Sequence, residues 1–546
     1  NDDSGTSIVH LACFGEDDVR IFQREAIPIF DPVDDEGNFM DYMEFIAGKN
    51  IKDADKLIIQ RLKEEQKMFR HETLQHSYPF CWRTDTPLIY KPISTWFVNV
   101  EEIKERMVAH NRTVHWVPGH LRDGRFGKWL ENARDWAISR NRFWGTPLPI
   151  WKNEDGEVMC IGSVKELEEK TGNIIDDLHK HFVDPLIIEH NGKTFRRVPE
   201  VLDCWFESGS MPYAQEHYPF ENKDRFEANF PADFICEGLD QTRGWFYTLA
   251  VLGSALFDTP AFKNCVVNGL ILAEDGKKMS KRLKNYPDPN EMVNKYGADA
   301  VRLYMLNSPA VRGEDLRFSE KGLIETTRQQ LLPLWNALAF LSTYAKIDGW
   351  EPTPENLSLK KNNPMDRWIM SRLQKLIAEV QKEMDGYDLN RSVAPFVGFI
   401  DLLTNWYIRR SRRRFWKEGQ GQDKHEAYAS LYTVLFEFSK IIAPFIPYIA
   451  DGIFRALRQD ADHQSVHLAI FPEVDATYRD IELEKQMDLV LSTVTMGRAL
   501  RAKHQLKIRQ PLPKLFLVTH DPEAKLVLEN LADLITDELN IKKIVI

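Results

Sequence analysis

Cysteine is scarce in this chain, and its cysteines are scattered. Six occur among 546 residues, at Cys13, Cys81, Cys160, Cys204, Cys236 and Cys265. No two of them are close in the sequence, so we expect no disulfide framework in a chain of this length. The same spacing offers no zinc site built from cysteines alone.

Long apolar runs are also missing. The apolar stretch 246–257 is shorter than the roughly 18 residues that a membrane span requires. The chain opens with Asn1, Asp2 and Asp3 instead of Met, and nothing there resembles a signal peptide. We therefore expect a cytoplasmic protein that does not contact a membrane, and a natural start that lies upstream.

An excess of positive charge is absent as well. The formal net charge is −11 at pH 7. A chain with this balance does not attract nucleic acid through its overall field. Any nucleic-acid binding therefore requires a local basic patch.

The patterning of the chain predicts four segments. Short β-like runs and acidic turns occupy 1–75, and apolar β runs alternate with amphipathic helices over 76–320, which indicates an α/β region with a parallel sheet. Within this region, the pattern of residues from about 100 to 200 predicts a more irregular structure. The segment 321–470 predicts a helix bundle, with helix starts at Pro364 and Ser392 and a break at 444–447. The tail, 471–546, predicts a helix and two β runs.

The first candidate site lies where a predicted strand meets a predicted helix. An apolar run ends at Glu237, a turn with Gly238 and Asp240 follows, and a long apolar helix starts near Gln241. Ligands of parallel sheets bind beyond the carboxyl ends of strands, where a carboxylate suits ribose hydroxyls or an amino group. The alternative is an ordinary turn with Asp240 as a helix cap, and this segment alone favours that alternative.

The second candidate site is a basic loop. Lys277, Lys278, Lys281 and Arg282 crowd into six residues behind Gly276, between a β run and a helix that Asp288 caps. Such a loop suits a polyphosphate, because lysine ammonium groups can follow charge that moves during transfer. The alternative is a solvated charge run.

A third candidate is a helix with a crowded basic end. Phe396, Phe399, Ile400, Leu403 and Tyr407 fall on one helical face and predict burial. The cations of the helix end, with no acid between them, are Arg409, Arg410, Arg412, Arg413, Arg414 and Lys417. The favourable position of cations at a helix C-terminus does not explain so many. Phosphates of an RNA stem do.

These motifs resemble those of a known family. Residues 278–282, Lys-Met-Ser-Lys-Arg, are similar to the K-M-S-K-S/R loop of class I aminoacyl-tRNA synthetases. Residues 203–209 and 237–246 are similar to paired motifs of the isoleucine, valine and leucine subgroup. Residues 314–322 and 405–416 resemble the isoleucyl enzymes, and the resemblance extends over essentially the whole chain.

The resemblance implies a fold and a reaction. The fold would be part of a Rossmann-type catalytic domain with the end of a β-rich editing insertion, an anticodon-binding helix bundle and a small C-terminal α+β segment. The reaction would join isoleucine to its tRNA with ATP and Mg²⁺, in a monomeric enzyme that also hydrolyses misactivated valine.

The resemblance also implies roles for individual residues. Asp240 would hold the adenosine ribose, Glu237, Gly238 and Gln241 would line the adenylate site, and Trp205 and Trp245 would form walls of the isoleucine pocket. Lys278 and Lys281 would stabilise the triphosphate from a loop that also contains Met279 and Ser280. The six cations of the third candidate would bind tRNA. In the opening segment, His10 and Asp18 would belong to the editing site, with Asp17 as an alternative to Asp18.

Two departures from the family pattern matter. No H-I-G-H-like motif occurs, so we expect the first half of the nucleotide fold to be missing from this sequence. Thr84 stands where some relatives have a second cysteine beyond Cys81, so we predict no zinc. Two alternatives remain open: a valyl or leucyl relative, and a synthetase-derived tRNA-binding module without catalysis.

Overall fold

The computed structural model describes residues 13–73, 75–81, 84–279, 285–419 and 421–546. The chain forms two compact units, Asn1–Val98 with Asp135–Asp203, and Asn99–Arg134 with Cys204–Ile546. Across the described ranges, every helix is too short or too polar to cross a membrane. Any of the predicted β-like runs that precede residue 13 lies outside the described residues.

The first unit contains a small antiparallel sheet. Its four strands are hydrogen-bonded in the order Val158–Cys160, Ile150–Lys152, Lys193–Arg197 and Ile187–His190. Two shorter antiparallel pairs join Phe97–Val98 to Trp136–Ala137 and Ser139–Arg140 to Val201–Leu202. The α-helices of this unit are Glu16–Arg24, Ile51–Glu64, Val164–Thr171 and Lys180–Val183.

The expectation of irregular structure is wrong for residues 150–197. Trp151, Ile188 and Phe195 from the four-stranded sheet pack with helix residues Leu167 and Val183 into a core of their own. Strands of three to five residues offer too few alternations to be recognised from the pattern alone.

The second unit begins with the parallel sheet that the patterning predicts. Its strands are hydrogen-bonded in the order Ala232–Gly238, Phe262–Asn268 and His115–Val117, and both pairings are parallel. A further parallel pair joins Ile271–Leu272 to Leu316–Arg317. The α-helices of this part are Val100–Thr113, Gly127–Glu131, Cys204–Ala214, Lys223–Asn229, Trp245–Phe257, Pro289–Tyr296 and Ala298–Leu306.

The predicted helix bundle follows. Its α-helices are Glu320–Thr326, Leu332–Asp348, Pro354–Leu357, Pro364–Asp385, Leu389–Asp401, Arg409–Trp416, Gln422–Ile442 and Pro447–Leu457. The start at Pro364 and the break at 444–447 are confirmed. The start expected at Ser392 is wrong by one turn, because Asp388 caps the helix at Leu389 and Ser392 is buried inside it.

The tail adds helices and one strand pair. Its α-helices are Ile481–Lys503, Pro522–Asn530 and Ala532–Leu539, and the strands Leu515–Phe516 and Ile544–Val545 pair in parallel. Met487, Val490 and Leu539 of the tail belong to the same apolar core as the bundle. The tail therefore packs as an extension of the bundle.

Candidate active site

The carboxyl ends of the parallel strands form the edge at which the first candidate site lies. Glu237 and Gly238 end the first strand, opposite Val267 and Asn268 of the second. The Glu237 side chain is exposed. A ligand at this edge can therefore reach a carboxylate and a strand end without displacing any core side chain.

The turn after this strand is shaped by Asp240 and Gln241. A Cβ atom at position 238 would lie 2.7 Å from Oδ1 of Asp240, so only glycine leaves the carboxylate where it is. Gln241 donates from Nε2 to Asp240 Oδ2 over 3.1 Å, and its Oε1 accepts the Trp245 backbone N–H over 3.1 Å. The helix expected to start near Gln241 begins at Trp245, after a turn of 3-10 helix over Leu239–Arg243. Gln241, not Asp240, therefore binds the first amide of the helix Trp245–Phe257. The side-chain cap considered for Asp240 is not used.

The two candidate tryptophans lie beside this turn. Trp205, in the helix Cys204–Ala214, is 40% exposed, and its ring carbons lie 3.1 and 3.3 Å from the position that a Cβ at Gly244 would take. The Trp245 indole N–H donates to the Ser208 carbonyl over 2.9 Å. The structure thus brings Trp205, Trp245, Gly244 and Gln241 together.

The second candidate site is a tight loop at residues 273–279, which we call the signature loop. Gly276 turns it with φ +81°, and its α-carbon faces the Arg317 guanidinium, which lies 3.1 Å from the Cβ position. Lys278 forms a β-bridge with Leu272, and its carbonyl accepts from Asn285 Nδ2 over 3.2 Å. The backbone of Lys278 is therefore fixed on both sides.

The side chains of the signature loop differ in their surroundings. Lys277 and Lys278 are both exposed, but the Lys277 ammonium lies 3.3 Å from Asp275. The backbone N–H of Lys277 lowers the pKa of Asp275, which keeps that carboxylate charged. Met279 lines an apolar cavity of about 510 Å³ together with residues of the following helices. Ser280 and Lys281 lie outside the described residues.

The six cations of the basic helix fall into two sets. Three are bound by carboxylates: Arg409 and Arg410 pair with Glu538, and Arg414 pairs with Asp366 and with Asp423, which is nine positions away. The side chains of the other three, Arg412, Arg413 and Lys417, are exposed. The sequence interpretation treated all six as one surface. The structure separates an inward set from an outward set, and the sequence interpretation missed this because Glu538 and Asp366 are remote from the helix in sequence.

Asp366 is the most buried of these acids. It is 0% exposed, and it accepts two hydrogen bonds from Arg414, at 2.8 and 2.7 Å, and one from the Tyr407 hydroxyl at 2.7 Å. Burial, and then the Asp366 charge, raise the pKa of Tyr407 well above its ordinary value, so the hydroxyl remains a donor. Burial alone would lower the pKa of Arg414, but the hydrogen bonds to Asp366 outweigh it and raise that pKa. No local pattern in the sequence signals this network.

The candidate editing residues are described only in part. Asp18 lies in the first turn of the helix Glu16–Arg24, and its Oδ2 comes within 3.2 Å of the position that a Cβ at Gly15 would take. His10 and the Asp17 side chain lie outside the described part of the chain.

Comparison with known protein families shows the family of this chain. The family model described as "tRNA synthetases class I (I, L, M and V)" matches residues 17–318. The chain belongs to the class I tRNA synthetases. The model "Anticodon-binding domain of tRNA ligase" matches residues 366–516 of this synthetase, so an anticodon-binding domain follows its class I catalytic domain.

Individual relatives of this class I synthetase are similar over nearly its whole sequence. The isoleucine–tRNA ligase of Protochlamydia amoebophila is 56% identical over 543 residues, which are 99% of this chain and 52% of the relative. That of Treponema denticola is 53% identical over 559 residues, 100% of this chain and 51% of the relative. The chain thus spans about half the length of the curated relatives it matches.

A solved structure shows the same fold. The methionyl-tRNA synthetase of Mycobacterium tuberculosis, bound by methionyl-adenylate, has 18% sequence identity and a TM-score of 0.51. The match covers 74% of this synthetase and 71% of that chain.

Proposed function

We propose that the full-length protein joins isoleucine to its tRNA through an isoleucyl-adenylate. The observation that carries this proposal is the identity of 53 to 56% to isoleucine–tRNA ligases over almost the entire chain. The family model alone covers four amino-acid specificities, so the choice of isoleucine rests on these relatives. The test is ATP-dependent charging of isoleucine onto tRNA by the full-length protein; charging of valine or leucine instead would contradict the specificity.

The first step proceeds without a covalent enzyme intermediate. An oxygen of the isoleucine carboxylate attacks the α-phosphorus of ATP, the bond from that phosphorus to the oxygen bridging the β-phosphate breaks, and pyrophosphate leaves. Mg²⁺ would enter with ATP as part of the substrate and would offset charge on the phosphates. Lys278 and Lys281 stabilise the charge that grows on the departing phosphates, and the loop residues Met279 and Ser280 lie between them. In the second step a terminal hydroxyl of tRNA attacks the carbonyl carbon and AMP leaves.

The strand edge positions the adenylate for both steps. Asp240 accepts hydrogen bonds from the ribose hydroxyls, and Glu237 accepts from the amino group of isoleucine. Gly238 lets the nucleotide approach the strand end closely, because glycine has no side chain. Gln241 holds the start of the helix that contains Trp245, and Trp205 and Trp245 enclose the aliphatic side chain. The rate of adenylate formation is raised by holding the reacting groups close together and by charges that are already in position.

We further propose that Asp18 serves hydrolytic editing, with His10 beside it. A hydrophobic pocket discriminates weakly against a substrate that lacks one methylene, and the isoleucyl enzymes are the usual example of that limit. Asp18→Ala should leave isoleucine activation intact and slow hydrolysis of valyl-tRNA by at least about tenfold, because the anchor for the amino group is lost. The measurement is deacylation of preformed valyl-tRNA. Deacylation at the wild-type rate would exclude Asp18 and direct the same test to Asp17.

We also propose that the basic helix binds tRNA phosphates through Arg412, Arg413 and Lys417. The exposure of these three side chains supports this role. The inward set, Arg409, Arg410 and Arg414, instead fixes the position of the helix through its ion pairs with Glu538 and Asp366. The resemblance implies tRNA binding for all six cations. In this proposal three of them contact tRNA and the other three hold the helix in position.

The double substitution Arg412→Ala/Arg413→Ala should weaken tRNA binding. The slope of log affinity against log salt concentration should fall by the amount that about two phosphate contacts contribute. The matched control is Arg412→Lys/Arg413→Lys, which keeps the charge and should keep the salt slope. Isoleucine-dependent pyrophosphate exchange without tRNA should be unchanged in both. A wild-type salt slope in the alanine variant would remove this helix from the tRNA interface.

A further inference from the structure

The first unit exposes an unusual group of rings. Phe143 and Trp144 are each 71% exposed, and Phe182 is 52% exposed. Adjacent large apolar side chains on a surface indicate a binding function more often than a structural one. Two histidines, His179 and His181, lie among them, and we call these five residues the ring cluster.

The rings of the cluster stack on one another or lie nearly parallel. Trp144 stacks on His179 with centroids 4.8 Å apart and planes 30° apart, and Phe143 is near parallel to His181 at 15° with centroids 6.3 Å apart. The two histidine rings lie 6.2 Å apart at 28°. The cluster thus presents several ring faces in similar orientation, which is what a stacking platform for flat ligands requires.

The backbone holds both halves of the cluster in place. Gly145, with φ +151°, follows Trp144, and a Cβ there would lie 2.9 Å from Cγ2 of Val201, so this turn is seated against the strand Val201–Leu202. On the other side, Oδ1 of Asp177 binds both the backbone N–H of His179, at 2.8 Å, and its Nδ1, at 2.6 Å. The rings are therefore positioned before any ligand arrives.

We propose that the ring cluster stacks unpaired bases of bound tRNA. The inference rests on the proposed function, which supplies an RNA with unpaired bases as substrate. Unpaired bases are bound on aromatic, histidine and arginine planes, and Arg142 lies exposed next to Phe143 as a cation for the adjoining phosphate.

The test uses the full-length protein and measures tRNA affinity across a salt series. Trp144→Ala should weaken binding about tenfold, since one stacked base is lost. Its salt slope should stay at the wild-type value, because no phosphate contact is removed. Trp144→Phe keeps a ring and should restore most of the affinity. Phe220→Ala, which removes an aromatic ring that is 59% exposed and belongs to none of the candidate sites, is the matched control and should bind as wild type does.

Each outcome decides between specific accounts. Wild-type affinity in Trp144→Ala, failure of Trp144→Phe to restore binding, or a flattened slope in Trp144→Ala would each overturn base stacking. His179→Ala tests the same stack from its other side if Trp144→Ala does not fold. Isoleucine-dependent pyrophosphate exchange is measured in parallel without tRNA. Its absence from the wild type would refute the proposed function, whereas normal exchange with unaltered tRNA affinity would refute the ring-cluster inference alone.

Discussion

Lys278→Ala should lower the rate of isoleucyl-adenylate formation about a hundredfold and leave the KM for ATP within about threefold. Charge on the bridging oxygen grows as pyrophosphate departs, so the ammonium group acts more strongly on the transition state than on bound ATP. The backbone of Lys278 is held by its β-bridge to Leu272 and its hydrogen bond from Asn285. The side chain therefore starts from a fixed α-carbon position.

The matched control for this substitution is Lys277→Ala. Lys277 has the same charge and similar exposure, but its ammonium is shared with Asp275, so its loss should change the rate by less than about threefold. Pyrophosphate exchange at varied ATP concentration separates the two parameters. A normal rate with a raised KM in Lys278→Ala would show that this lysine binds ATP without assisting its reaction.

Asp366→Ala should destabilise the bundle by about 3 to 5 kcal/mol. The substitution leaves the guanidinium of Arg414 and the hydroxyl of Tyr407 without the carboxylate that both of them bind. Hydrogen exchange of the segments 364–385 and 409–416 in the full-length protein reports this loss locally.

Asp423→Ala provides the control, because Asp423 also binds Arg414 but its side chain is 59% exposed. Its loss should cost less than about 1 kcal/mol, since water replaces it and Asp366 remains. Equal protection in the Asp366→Ala variant and the wild type would show that the buried network does not stabilise the bundle.

Contiguous motifs were predictable from the sequence, because their residues meet within one turn. The strand that ends at Gly238, the turn through Gln241 and the loop around Gly276 each form from neighbouring residues, and their positions agree with the patterning. The apolar face of the basic helix, including Phe396 and Tyr407, was predictable from helical spacing for the same reason.

Long-range pairing was not predictable. Arg414 lies 48 positions from Asp366, and Arg410 lies 128 positions from Glu538, so no window of the sequence contains both partners. The sequence interpretation therefore treated the six cations as one exposed surface, although three of them pair with acids of the same unit. The ring cluster was missed for the same reason, because Trp144 and His179 meet only after the short sheet of the first unit has formed.

The most direct test of the central claim is amino-acid-dependent ATP–pyrophosphate exchange by the full-length protein, measured with isoleucine, valine and leucine. The account predicts the highest kcat/KM for isoleucine. Valine should be lower by about 10- to 200-fold, the range expected for one methylene and known for isoleucyl enzymes. Leucine should be lower still, because its branch lies one carbon further from the backbone than that of isoleucine, whose side chain we propose to lie between Trp205 and Trp245. A preference for valine or leucine, or no exchange with any of the three, would contradict the account.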